Sequence, residues 1–230
     1  MVLSCDEVTA QTLPATGAVT GIDMGVTHFL TTSEGVHVPN PRHGRRNAQA
    51  LAEAQRALKA FPKVRKGTRS VKHRNAVEKV ADLHRKVARQ RLDHAHKTAL
   101  DLVGTYDVIA HEKLPIANMT RRPAPKPVGD GSFTPNGAAA KAGLNRSIHA
   151  AGWGCFLGIL ASKAESAGRV LIPVDARNTS RTCPTCGHCA AHNRDKDKFL
   201  CIRCGHQDHA DRVGAHNVAI RAGLVLPQAA

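Results

Sequence analysis

Cys183-Pro-Thr-Cys186-Gly187 and Cys201-Ile-Arg-Cys204-Gly205, followed at once by Asp208-His-Ala-Asp211, are the residues from which the rest of the chain is read outward. Two Cys-x-x-Cys pairs, each closed by a glycine, offer four soft thiolates at knuckle spacing, enough to complete a tetrahedral Zn²⁺ site. The 14 residues between Cys186 and Cys201 fall slightly short of the usual separation. A redox dithiol or a pair of disulfides is the competing reading, but a lone redox pair has no use for a twin. Cys189, His188, His192 and His206 are spare donors nearby that could replace one of the four, although Cys189 lacks the paired knuckle. A four-cysteine site is closed. It builds structure and leaves no position for a substrate, so the chemistry is expected elsewhere.

The segments on either side say what the cysteines are set into. Arg169-Val-Leu-Ile-Pro-Val174 reads as a buried strand, and 209–222 carries Ala210, Val213, Gly214, Asn217 and Ile220 at helical spacing. A zinc ribbon over 177–207, between a strand and a helix, is an insertion in a larger fold. It leaves Asp211 in the first turn of that helix.

With 230 residues the chain can bury one good core with small appendages. Hydrophobic residues make up 42% but aromatics only 3%, so that core rests on Val, Leu, Ile and Ala. There is no apolar run of spanning length and no secretory leader pattern, and seven cysteines with four at metal spacing suit a reducing compartment. The expected setting is a reducing cytoplasm, with no membrane partner. The net charge of +15 is concentrated. Residues 42–100 hold 17 Lys/Arg against four acids, so +13 of it lies there. One basic element of this kind favours a polyanion, and nucleic acid is the default partner; a solvated helical face is the bland alternative. The residues expected to meet phosphate are Arg65, Lys66, Arg69, Lys72, Arg74, Arg85, Lys86, Arg89 and Arg91.

In chain order, 1–17 has little pattern. Ala18 to Val26 runs apolar into Asp23, Thr27 to Thr32 forms a second strand, Ser33-Glu-Gly35 a hairpin turn, and Val36 to Val38 a third strand. Helices are expected over 47–60 and from Ser70 onward, the second with a stripe through Val77, Val80, Leu83 or His84, Val87, Arg91, Ala95 and Ala99. Asp107 to Leu114 is a short strand carrying Glu112, 117–141 a Pro/Gly/Ala-rich mobile loop, and 147–167 one helix with Trp153, capped by Gly168. The expected organisation is 1–45 as the first half of an α/β core, 46–104 as a basic helical insertion and 105–176 as the core continued. The ribbon (177–207) and a last helix with its tail (208–230) complete it.

Asp23 on the first strand, Glu112 at the end of the fourth and Asp211 at the start of the last helix are the acids such a fold would bring together. Three converging carboxylates repel unless cations neutralise them, and hard oxygen ligands suit Mg²⁺ or Mn²⁺. A pair of such ions can activate water and stabilise the leaving oxygen in phosphodiester cleavage.

The sequence resembles the C-terminal part of the OrfB/TnpB family, transposon-encoded proteins related to type V CRISPR effector nucleases. The resemblance is carried by Gly21-Ile-Asp-Met-Gly-Val26, Ile109-Ala-His-Glu-Lys-Leu114, Asn145-Arg-Ser-Ile followed by Ala151-Gly-Trp-Gly154, Asn178-Thr-Ser-x-Thr-Cys-Pro-x-Cys-Gly187, and 211–217. It implies a ribonuclease H-like (RuvC-like) core with catalytic acids Asp23, Glu112 and Asp211. It also implies a structural zinc ribbon at Cys183, Cys186, Cys201 and Cys204, a Mg²⁺-dependent nuclease, and cleavage of DNA guided by RNA. Departures are visible. About 17 residues precede the first strand, where family members carry a guide-binding N-terminal half. Lys113 stands where an acid is common, and Val213 where an asparagine is usual. The expectation is therefore a truncated member that hydrolyses DNA if active. The rivals are a non-catalytic DNA- or RNA-binding remnant and a metal-stapled RNA-binding protein of ribosomal type, which predicts no convergence of the acids.

Overall fold

In the computed structural model, residues 12–64, 66–129 and 131–226 are described. Three short extended segments open the chain: β1 (Val19–Met24), β2 (His28–Thr32) and β3 (His37–Pro39). β1 and β2 pair antiparallel through Ile22 with Thr32, and β2 and β3 pair antiparallel through Leu30 with Val38. A helical excursion follows, with α1 (His43–Arg46), α2 (Ala48–Lys59) and the 35-residue α3 (Val71–Thr105). The Ser70 hydroxyl starts α3 by accepting the His73 amide at 3.2 Å. The chain re-enters the sheet at β4 (Val108–Lys113), parallel to β1.

The segment expected as a loop over 117–141 holds the end of a short turn, α4 (Ile116–Met119), and a two-stranded ladder, β5 (Lys126–Pro127) with β6 (Phe133–Thr134). The single helix expected over 147–167 is two helices. α5 (Ala138–Ala151) and α6 (Trp153–Ser166) are divided by Gly152, whose φ of 73° ends one helix and begins the other. That left-handed conformation is open to glycine at little cost. β7 (Val170–Asp175) then pairs parallel with β4, completing a five-stranded sheet in the order β3-β2-β1-β4-β7. Beyond it lie β8 (Arg194–Asp195), β9 (Lys198–Leu200) and β10 (Gln207–His209), a three-stranded sheet of their own, and finally α7 (Ala210–Arg221).

The fold is mixed α/β in three layers, and the period of two along each strand decides which residues face which layer. Ile22 and Ile109 point to one face, packed with Phe29, Phe156, Leu160, Ala99, Leu102 and Val103 from α3 and α6. Burial of a side chain such as Phe156 or Leu160 contributes about 1.5–3 kcal/mol. The neighbouring positions on the strands face α7. Ala110 and Val174 meet Val218 there, and Gly21 meets α7 so closely that a Cβ on it would lie 2.1 Å from the Ala215 carbonyl oxygen. The glycine is what lets the last helix lie on the first strand.

Only the C-terminal third of α3 is in the core. Its earlier Val77, Val80, Leu83 and Val87 are half-buried, with Lys72, Lys86 and Arg89 exposed among them. The apparently patternless N-terminal stretch is fastened by its end: Asp107 accepts the amides of Thr16 and Gly17, and buried Arg169 pairs with Asp107 at 2.7 Å. These contacts hold the Asp107 carboxyl below its ordinary range, led by the Thr16 amide. No helix among the described residues is long and apolar enough to cross a membrane.

Candidate active site and metal centre

Asp23 and Glu112 sit near the C-terminal ends of parallel neighbours β1 and β4, one step beyond the pairing of Ile22 with His111. By the same period of two that turns Gly21 and Ala110 toward α7, Asp23 and Glu112 face it as well. Asp211 comes down from the first turn of α7 to meet them. Here α7 has a second glycine in a critical place: a Cβ on Gly214 would stand 3.0 Å from Asp23 Oδ2. The three acids line one cleft of about 670 Å³ together with Met24, Trp153, Thr179 and Arg194. Clefts beyond the carboxyl ends of parallel strands are where open α/β sheets bind ligands.

The electrostatics of the cleft are those of crowded carboxyls short of a cation. Burial raises Asp23 well above the ordinary carboxylate range, and Glu112 and then Asp211 add to it. Glu112 is also raised by burial, although the Thr179 hydroxyl, at 2.5 Å from Oε1, and a hydrogen bond with Asp23 pull it back. Both raised values have one meaning: so close together and so poorly hydrated, the pair resists carrying two negative charges. Arg194 Nη2 supplies some positive charge, 3.2 Å from Asp211 Oδ1. Oxygen donors from three elements, with Glu112 buried and Asp23 and Asp211 half-buried, fit a hard divalent ion of the Mg²⁺ or Mn²⁺ kind.

Four of the residues here lay outside the sequence reading of the site. Arg194 belongs to β8, inside the cysteine segment that was expected to build structure alone; its chemistry reaches the cleft. Thr179 stands within a quoted motif, Asn178-Thr-Ser, and its place before the first knuckle was the available signal. Gly214 could be found only by knowing that Asp23 lies beneath it. Asp175 also lines the cleft, but its Oδ1 accepts the Arg177 amide.

The cysteines form two near-identical turns. The Gly187 amide reaches the Cys183 carbonyl and the Gly205 amide the Cys201 carbonyl, each at 2.9 Å. Both glycines have positive φ, 71° and 76°. The turns bring Cys183 Sγ to 3.6 Å from Cys204 Sγ and Cys186 Sγ to 3.6 Å from Cys201 Sγ, with all four sulfurs mutually within 4.8 Å. Four thiolates around one Zn²⁺ at 2.3 Å stand about 3.8 Å apart, close to the 3.6 Å of the two shortest pairs, so the cluster suits that ion. Cys189 is exposed and outside the group. Burial raises the Cys201 thiol, yet the Cys204 and Arg203 amides and its sulfur neighbours bring it to about 6. The His206 amide lowers Cys204, but crowding by Cys186 and the other thiols carries it up to about 12. A cation would release the proton so held.

The basic candidates are scattered over the helical excursion. Arg65 and the side chain of Lys66 lie outside the described residues. Lys72, Arg74, Lys86 and Arg89 are exposed, although Arg74 Nη1 donates to the Arg69 carbonyl at 3.2 Å. Arg69 and Arg91 are half-buried, and Arg91 Nη2 lies 3.1 Å from where a Cβ on Gly44 would be. Arg85 is held by Glu78 and Asp82 of its own helix, so its charge is largely matched within the protein.

A family model for OrfB of IS605 elements, described as a transposase, matches residues 3–122, and a Cas12f1-like TNB domain matches 153–218. The chain belongs to the OrfB family. An Escherichia coli (strain K12) relative with the provisional name RNA-guided DNA endonuclease InsQ is 33% identical over 225 residues, covering 96% of this chain and 52% of the relative. A Streptomyces pristinaespiralis relative, provisionally named RNA-guided DNA endonuclease, is 32% identical over 96% of this chain and 49% of its own length. This OrfB chain thus spans about half the length of the curated relatives it matches. Among solved structures, a Cas12f1–sgRNA–target DNA complex matches with TM-score 0.56 and 18% identity, over 90% of this chain and 51% of the other. A CRISPR-Cas12f ternary complex gives 0.56 and 17%, over 94% and 40%. At those identities the likeness is one of fold.

Proposed function

We propose that this OrfB chain hydrolyses DNA phosphodiesters with Mg²⁺ or Mn²⁺ in the cleft of Asp23, Glu112 and Asp211, and that it does so under the direction of a guide RNA. The observation that carries the reading is the cleft itself: Asp23 and Glu112 on adjacent parallel strands, Asp211 lining the same cleft from α7, and Arg194 alongside. The sheet order β3-β2-β1-β4-β7, with β2 reversed, supports a ribonuclease H-like, RuvC-type core made of 1–45, 105–176 and 208–230. In this reading 46–104 is a basic insertion that meets nucleic acid, and 177–207 a structural zinc ribbon. The guide RNA and the DNA target come from the names of the relatives.

When bound, divalent ions supply an activated water and stabilise the departing oxygen. The chain's own residues do the rest. Asp23 and Glu112 would hold a cation as carboxylates, releasing to water the protons that burial favours. Thr179 donates to Glu112 Oε1 and so holds the orientation of that carboxylate. Arg194, near Asp211, stands where a strand's phosphate would enter and can meet its charge. Trp153, Met24 and Leu144 give the cleft one apolar wall.

The test is cleavage of labelled single-stranded DNA in Mg²⁺ by the parent and by Asp211→Ala, with binding measured beside it. Cleavage by the parent that falls at least about a hundredfold in the variant, with binding kept, is the expected result. Cleavage that survives the substitution removes the reading.

A further inference from the structure

Asp211 has a second side. Its Oδ1 is held by Arg194, while Oδ2 lies 3.7 Å from His28 Nδ1, among three imidazoles that do not line the cleft. His28 begins β2, His37 begins β3, and His209 ends β10 two residues before Asp211. The rings of His28 and His37 stack at 4.3 Å, and His209 stands edge-on to His37 at 4.7 Å. His28 Nδ1 is buried and has no hydrogen-bond partner among the described residues.

We propose that His28, His209 and Asp211 form a binding site for a borderline divalent ion of the Zn²⁺, Co²⁺ or Ni²⁺ class, separate from the four cysteines and meeting the acidic cleft only through Asp211. One ligand atom from each of the three lies within 4.8 Å of the others. A filled site with metal–ligand bonds near 2.1 Å needs about 3.4 Å, so side-chain rotation alone can close it. The donor set selects the ion: imidazole with one carboxylate suits Zn²⁺ and its neighbours, whereas Mg²⁺ prefers oxygen throughout. The buried Nδ1 of His28 and Asp211 Oδ2, 3.7 Å apart, aim a nitrogen lone pair and a carboxylate oxygen at one point. His209 Nδ1 now accepts the Asp211 amide at 3.2 Å. Ligation through Nε2 moves the ring proton to Nδ1, so that hydrogen bond is given up when the ion is held. His37, its Nδ1 already fixed by the Thr31 hydroxyl at 2.9 Å, has Nε2 to offer as a fourth ligand.

This proposal does not depend on nuclease activity. Its test is metal counting after equilibrium dialysis against micromolar Zn²⁺, on the full chain at neutral pH. The parent should hold two ions. Asp23→Asn should also hold two, which separates this site from the cleft, and His28→Gln and His209→Gln should hold one. Cobalt substitution checks that the variants are folded, because the sulfur-to-metal absorption of the cysteine site must persist in both. His28→Gln should weaken the second ion at least about tenfold. A parent that holds one ion, or a second ion that survives His28→Gln, overturns the proposal.

Discussion

The cysteine cluster and the acidic cleft are opposite ways of gathering ligands. The four sulfurs come from two turns whose outermost cysteines are only 21 positions apart, each turn closed by its own backbone hydrogen bond. Little of the surrounding protein is needed to aim them. The carboxyls come from two strands and a helix spread over most of the chain, and each is where it is because the whole sheet is built. One cluster depends on loop closure over a short segment, the other on the docking of α7 across β1. Arg194 joins them, since it leaves the cysteine segment to reach Asp211.

The largest effect should follow from breaking the long-range side of this contrast. Gly21→Val places a side chain against the Ala215 carbonyl and the Ala219 amide, which a Cβ alone would meet at 2.1 and 2.6 Å. The expected cost is on the order of 3 kcal/mol or more, read as lost soluble yield or a lowered thermal midpoint, while cysteine-bound metal in what remains folded is unchanged. Gly214→Ala sharpens the same point: stability should change little, but its Cβ presses on Asp23 Oδ2 and divalent binding in the cleft should fall about tenfold or more.

Breaking the local side should do less to the fold. Cys183→Ser should remove the thiolate-bound ion and loosen 177–207, detected by loss of cobalt–thiolate absorption, while the five-stranded sheet keeps its thermal transition. Because Arg194 then loses its anchor, binding of Mn²⁺ in the cleft should change as well. An unchanged cleft would mean the two regions are independent.

These regions also differed in how far they could be read from residues alone. Cys-x-x-Cys-Gly is a statement about neighbours, so Cys183, Cys186, Cys201 and Cys204 were legible directly. Asp23, Glu112 and Asp211 needed an order of elements and a family resemblance, since an acid on a strand is ordinarily a surface charge. Arg194, Gly214 and the cluster of His28, His37 and His209 were not legible, because each gains its meaning from a side chain far away in sequence. The break at Gly152 was missed for a different reason: a glycine inside a helical pattern costs only about 1 kcal/mol, so the pattern carries across it unless the φ is known. Arg169 and Asp107 likewise showed no sign in sequence that they would hold Thr16 and Gly17.

A smaller effect follows from the protons in the cleft. Asp23 and Glu112 are raised above their ordinary values by burial, so the metal-free fold holds protons that the unfolded chain gives up. Their contribution to stability is complete below the ordinary carboxylate range and is lost as pH rises through the raised values. The metal-free thermal midpoint should therefore decline with rising pH in that window, by roughly 2–4 °C for each kcal/mol lost. Asp23→Asn should flatten the decline, and Mg²⁺, which binds the ionised pair, should reverse it.

The smallest expected effect lies on α3. Arg89→Gln should reduce the salt slope of DNA binding by up to about 0.9 if that residue meets a phosphate. Arg85→Gln should change it less, since Glu78 and Asp82 already answer that charge. Equal effects would mean that the ion pairs open on binding.

The most direct single test is a titration with Mn²⁺ followed by electron paramagnetic resonance, comparing the parent with Asp23→Asn. A cleft built by long-range convergence should take up two Mn²⁺ close enough to couple magnetically, about 4 Å apart, in the parent, and the coupled signal should vanish in the variant. The same uptake in both proteins, or none in the parent, would contradict it.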